Sequence, residues 1–224
     1  MDQPVVEIFL LKYKSPTVES SCIDSILHNT EWPYHLHIVD NRKGTKNTGD
    51  IWNRLIKDWG HYYYKLFIDS DTLVEKLWLT KMMAVMLSKK SDAGVVVPRT
   101  DNCGEIRQVH TGTNVSTRKL LPTDPVVELP LASGFCFLFN YSSYQHTGDF
   151  DYTNFTFYGQ DSEWFIRMRA KTKYKIYLQP ASFVHHRGAH SVNEIEDDSF
   201  DFKKDKQNSL KNFWAKVEEY GVGV

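Results

Sequence analysis

Asp69-Ser70-Asp71, Asp161 and the pair His185-His186 are the residues of this 224-residue chain whose types and spacing could do chemistry. Two carboxylates one residue apart repel each other unless a cation compensates them. Oxygen ligands of this kind suit Mg²⁺ or Mn²⁺, in sites that commonly share the ion with substrate phosphates. The same triplet can also shape a turn or cap a helix. Context favours the chemistry: Lys65-Leu66-Phe67-Ile68 ends an apolar strand, so Asp69 and Asp71 leave a sheet at its ligand-binding edge. Asp161, ionised at neutral pH with an ordinary pKa of about 3.9, could take a proton or cap a helix over Ser162–Arg169. Adjacent strand residues face opposite ways, so at most one of His185 and His186 can join the aspartates. Imidazole favours Mn²⁺ over Mg²⁺.

These residues need elements to hold them. Val5–Leu11 reads as a buried strand, and Ser15–Leu27 as a helix with Pro16 at its start. His35–Val39, Tyr62–Ile68 and Ala93–Val97 follow as strands, alternating with helices over Ile51–Trp59 and Leu77–Leu87. This alternation predicts an α/β fold with a mostly parallel central sheet flanked by helices. Asp40 also lies at a strand end, so it could converge on the crevice of Asp69 and Asp71. Thr100–Pro130 is loop-rich, and Leu131–Phe139 reads as a strand whose Gly134 permits close approach of a ligand or another backbone. Tyr158–Ala170 contains a helix, and Lys175–Leu178 and Phe183–His186 read as two strands. Lys206–Tyr220 has Leu210, Phe213, Trp214 and Val217 at helical spacing, which predicts a packed amphipathic helix. The expected organisation is one catalytic domain: residues 1–100 binding the donor, 101–205 holding acceptor and catalyst, and 206–224 a terminal helix.

A formal net charge of −1 gives no global attraction to nucleic acid or membrane, and no run approaches the roughly 18 apolar residues of a membrane span. The expectation is a soluble cytoplasmic protein with its three cysteines reduced. From Phe165 to Gly188 every charged residue is basic, which suits a solvated helix face or a site for phosphate. The G-x-G-x-x-G signature of dinucleotide folds is absent.

Several motifs then occur in a known order: Val39-Asp40-Asn41, Asn47-x-Gly49 with Asn53, Asp69-Ser70-Asp71 and Ser133-Gly134-Phe135. Gly148-Asp-Phe-Asp151 leads on to Phe157-Tyr-Gly159-Gln-Asp161-Ser-Glu163-Trp164 and Arg167, and Pro180 to His185-His186-Arg-Gly188 and Ser191. In these the chain resembles the family 2 glycosyltransferases of the GT-A, nucleotide-diphospho-sugar transferase fold. The resemblance spans nearly the whole chain and is more specific in its later half. It implies transfer of a sugar from a nucleotide-diphosphate donor, a UDP-sugar favoured, to an acceptor hydroxyl with inversion. Asp161 would be the general base, and Asp69, Asp71 and His186 would hold a divalent cation, Mn²⁺ favoured over Mg²⁺. Asp40 would contact the nucleotide base, with Asn41, Asn53 and Ser70 also on the donor. Gly134, Glu163 and Trp164 would face the acceptor. A saccharide or lipid-linked sugar is the favoured acceptor, a hydroxylated base in DNA the alternative; a non-catalytic nucleotide-sugar-binding protein is the rival class. The chain departs from the family where Leu11-Lys12-Tyr13-Lys14 ends the first strand, so Lys12 and Tyr13 are expected to meet phosphate or ribose. Gln160 stands where an acidic residue is common.

Overall fold

The computed structural model describes residues 3–12, 16–41, 47–59, 62–110, 118–187 and 202–224. In chain order the first half runs β1 (Val6–Lys12), α1 (Pro16–Asn29), β2 (Tyr34–Asp40), α2 (Thr48–Asp58), β3 (Tyr64–Asp69), β4 (Thr72–Val74), α3 (Trp78–Ser88) and β5 (Ala93–Arg99). A 3₁₀ turn (Ile106–Gln108) leads to β6 (Val127–Leu129), β7 (Cys136–Asn140), α4 (Tyr141–Thr147), α5 (Gln160–Lys171), β8 (Lys175–His186) and α6 (Phe202–Tyr220). Among the described residues no helix is long and apolar enough to cross a membrane.

The strands form one sheet in the order β2-β1-β3-β7-β5-β8-β4, with β6 also on β8. β1, β2, β3, β5 and β8 run the same way, as the α/β alternation predicts, while β7 runs against both its neighbours. Period-two geometry explains the apolar runs. In β1, Val6, Ile8 and Leu10 pack on one face and Phe9 on the other; β3 and β7 divide their residues likewise. Helices cover both faces, α1 and α3 on one side, α2, α4 and α5 on the other, so these strands are buried twice over.

The differences from expectation have local causes. Asn47 accepts the Asp50 N–H and starts α2 three residues early. Leu131–Phe135 is not strand: its turns bring Ser133 to the carboxamide of Gln108, and β7 begins only at Cys136. The two short strands expected after α5 are one, β8, which passes an irregularity beyond Gln179 where Arg99 takes Phe183 as its partner. Its first part pairs with β5 and β6, its end with β4. On α6, Phe213 is buried and Val217 and Tyr220 pack with Phe155 and Ile166, whereas Leu210 and Trp214 are more than half exposed. The apolar stripe of that helix is therefore rotated from the one expected. The three cysteines are free thiols, as expected.

Candidate active site

Asp69 is the last residue of β3, and its turn is fastened from beneath. Its N–H donates to the Phe135 carbonyl at 2.8 Å, and its own carbonyl accepts the Thr72 hydroxyl at 2.8 Å. Cys22 of α1 lies under the same turn, 3.4 Å from the Thr72 hydroxyl, and burial raises its thiol to about 12, which keeps it neutral. Three residues on from Asp69, the chain enters β4, whose antiparallel register sets Thr72 opposite His186. Pairing of β4 with β8 thus carries His186 back to the triplet across more than a hundred residues of sequence.

One oxygen or nitrogen from each of Asp69, Asp71 and His186 lies within 4.8 Å of the other two. The Nδ1 of His186 lies 2.9 Å from the Asn102 carbonyl. Because a carbonyl only accepts, Nδ1 carries the hydrogen and Nε2 points toward Asp71 Oδ1, 3.5 Å away. The ring stacks on Phe135 with centroids 4.6 Å apart, and its backbone N–H donates to Asp101. Burial would lower the His186 pKa, but the carboxylates of Asp71 and Asp69 and the Asn102 carbonyl raise it above its ordinary value. Asp69 is exposed to the crevice, and the protein around it partly desolvates its carboxyl. That desolvation, and then the charge of Asp71, push its pKa up to about 8. Two carboxylates and an imidazole with a directed Nε2 form a donor set that fits a divalent cation, and a cation would relieve the repulsion that raises Asp69. His185 turns the other way, with Asp101 at 2.9 Å and Glu75 at 3.6 Å.

Asp161 reaches the same crevice from the first turn of α5. The turn begins at Gly159, whose φ of 85° is a left-handed conformation that favours glycine. The Gly134 N–H donates to Asp161 Oδ2 at 2.7 Å, and a side chain at residue 134 would collide with this carboxylate. Gly134 is thus the seat of Asp161 as well as a wall of the crevice. Burial raises the Asp161 pKa, while N–H groups of Ser162 and Gly134 pull it back. Gly134-Phe135 joins the two halves of the site: one residue holds Asp161, the next holds Asp69 and stacks on His186.

The crevice encloses about 250 Å³, and Ser70, Leu11, Thr48, Trp52 and Phe157–Gln160 complete its lining. Several residues expected here are elsewhere. Glu163 is 1% exposed, with Arg167 at 2.7 Å and the Tyr220 hydroxyl at 3.0 Å, and Trp164 is fully buried in the aromatic core. Neither can touch an acceptor. Asn53 spends its amide on the backbone of Phe150, donating at 2.9 Å and accepting at 2.8 Å, so it ties α2 to the loop before α5. The Lys12 ammonium lies 3.3 Å from buried Glu19. Asp40 and Asn41 line a different hollow with Asp50 and Arg54, because β1 stands between β2 and β3. Tyr13 lies outside the described residues, as do Gly188 and Ser191. The basic run is largely committed within the protein: Arg167 to Glu163 and the Thr147 carbonyl, Arg169 to the Pro130 carbonyl, and Lys175 to Glu128.

Phe135, Asp101 and Asn102 were not singled out as site residues. Phe135 stood inside a quoted motif, while nothing in the loop composition around Asp101 distinguishes it. No protein-family model matches the chain, and no curated protein is similar to it in sequence. Solved structures do match its fold. GalNAc-T7, in a crystal structure with UDP, GalNAc and Mn²⁺, aligns at a TM-score of 0.65 and 10% identity over 98% of this chain and 50% of that one. S. aureus TarS residues 1–349 in complex with UDP-GlcNAc align at 0.56 and 13% identity, over 96% of this chain and 72% of that one. A197 from STIV aligns at 0.55 and 14% identity, over 81% and 84%. The chain thus spans half the length of the GalNAc-T7 chain. It has the GT-A fold of these glycosyltransferases, as the sequence motifs implied.

Proposed function

We propose that this protein transfers a sugar from a nucleotide-diphosphate donor, a UDP-sugar favoured, to an acceptor hydroxyl. The observation that carries the reading is one crevice shared by a walled-in carboxylate, Asp161, and the Asp69–Asp71–His186 donor set. The fold it shares with GalNAc-T7 and TarS, solved with UDP or UDP-GlcNAc, supports the donor class.

Asp69, Asp71 and His186 would hold the divalent cation, with Mn²⁺ favoured by the imidazole. When bound, the ion would neutralise the diphosphate as it departs. Asp161, fixed by the Gly134 N–H and the start of α5, would take the proton of the acceptor hydroxyl as its oxygen attacks the anomeric carbon. The sugar–phosphate bond breaks as the new glycosidic bond forms, and a single displacement of this kind inverts the anomeric carbon. Ser70 and the walls at Leu11, Thr48 and Trp52 would border the donor, and Phe157 and Tyr158 the acceptor. The reading places the chain with the family 2 enzymes. A saccharide or lipid-linked acceptor is favoured over DNA because Arg167 and Arg169 of the basic run are engaged within the protein.

The test is release of nucleoside diphosphate from a panel of labelled nucleotide-sugars with Mn²⁺ present. Turnover that stops in excess chelator and returns with Mn²⁺ is expected. Full activity under chelation would refute the metal role, and binding of donor without any release or transfer would favour a non-catalytic binding protein.

A further inference from the structure

Gln160 precedes Asp161 in α5 and lines the crevice, yet it is only 3% exposed, and among the described residues nothing hydrogen-bonds its carboxamide. The carboxamide is not sealed off: its oxygen and nitrogen keep contact with the crevice, where water or a ligand can meet them. What exposure it keeps opens onto the crevice it lines. Its stem is held firmly: a Cβ placed on Gly49 of α2 would meet Gln160 Cβ at 3.6 Å and Phe150 Cβ at 3.5 Å. Gln160 therefore stands against the α2 wall, beside Thr48 and Trp52, with its amide groups unspent.

Charge adds a second, independent constraint. Asp69, Asp71 and Asp161 all line the crevice against a single imidazole, and no lysine or arginine among the described residues lines it. With a divalent cation held by Asp69 and Asp71, the charge of Asp161 remains. A carboxylate on the transferred sugar would meet that charge with no lysine or arginine among the described lining residues to receive it. A glutamate in place of Gln160 would add a fourth negative charge and could only accept hydrogen bonds. The carboxamide donates two and accepts through its oxygen, which matches a pair of sugar hydroxyls.

We propose that Gln160 reads the hydroxyls of the transferred sugar, and that this sugar is uncharged. The inference rests on the donor reading above and adds to it the class of sugar and the side chain that selects it. The test is calorimetric titration, with Mn²⁺ present, of the wild type, Gln160→Leu and Gln160→Glu. Each is titrated with UDP, then with UDP-glucose, UDP-galactose, UDP-N-acetylglucosamine and UDP-glucuronic acid. At least one neutral UDP-sugar should bind the wild type more tightly than UDP, and UDP-glucuronic acid should not. Both variants should bind UDP as the wild type does, and should lose about ten-fold in affinity for that sugar, the worth of two hydrogen bonds between uncharged groups. A sugar-dependent gain that survives in Gln160→Leu, a preference for UDP-glucuronic acid, or a loss confined to acceptor KM would each overturn the proposal. So would loss of UDP binding in both variants, since Gln160 would then support the whole site. Wild-type protein that binds no nucleoside diphosphate with Mn²⁺ would instead sink the donor reading itself.

Discussion

Lys65 and Glu7, neighbours on β3 and β1, are almost wholly buried, and their charges are met from within the protein. The Lys65 ammonium donates to Glu7 at 2.6 Å and to the carbonyls of Tyr62 and Trp59 at 2.9 and 3.0 Å. At the far end of the same strand, Asp69 faces Asp71 with Asp161 nearby, and among the described residues one histidine is the only basic side chain in that lining. Both charged clusters include an end of β3. One is complete and adds to the fold; the other holds more negative charge than its surroundings answer, which only a bound cation or ligand would correct. Completeness, rather than burial or the presence of carboxylates, separates a structural ion pair from a candidate site. Glu163 illustrates the point, since Arg167 and Tyr220 occupy its carboxylate and remove it from chemistry.

This contrast can be broken at either end. The largest effect is expected from Asp161→Asn, which should lower kcat by about 10²–10⁴-fold, the worth of a positioned general base. Donor affinity should stay near the wild-type value, and unchanged turnover would remove Asp161 from the mechanism. At the complete cluster, Lys65→Met leaves Glu7 buried and uncompensated. It should cost about 3–5 kcal/mol in denaturant unfolding while the folded variant still binds UDP with Mn²⁺; parallel loss of binding would show that the two clusters are not separable. Gly134→Ala should displace the Asp161 carboxylate and slow turnover by about 10²-fold with little loss of stability, read as kcat against Tm. Asn53→Ala unties Phe150 and should cost about 1–3 kcal/mol in stability, with donor KM nearly unchanged.

The smallest effect concerns pH. Burial raises the Asp161 pKa, so its base form disappears as pH falls through a value above its ordinary one. The acid limb of kcat/KM should therefore lie above that ordinary value and turnover should be full on its alkaline side. Replacing Gly134 removes one N–H geometry that favours the carboxylate, so the limb should move further up; a downward movement would contradict the hydrogen bond as the cause.

Much of the architecture was legible because it depends on local chemistry. Continuous apolar runs and helical spacing announce doubly covered strands and the helices between them, and Asp69 and Asp161 each sit at an element end that the pattern marks. Trp164 and Glu163 were misjudged for a related reason. Glu163, two residues after Asp161, is turned about 200° around the helix from it. Trp164, three residues on and nearly on the same side, lies deeper along α5 where the aromatic core takes it up. Asn53 has the same composition cue as a ligand-binding amide, and only the loop folded against it shows that both its groups are taken.

The sequence by itself determined the elements, the strand-end position of the Asp69-Ser70-Asp71 triplet and that only one of the two adjacent histidines could join it, because these follow from periodicity and residue chemistry within short windows; that the one is His186 was implied by the family resemblance. Only the tertiary structure decided that β4 pairs with the end of β8 and sets His186 beside Asp71. It alone placed Gly134 beneath Asp161, Asn102 behind His186, and β1 between Asp40 and the crevice. Strand order and register arise from packing among residues far apart in the chain, and no local pattern encodes which distant backbone will supply a hydrogen bond.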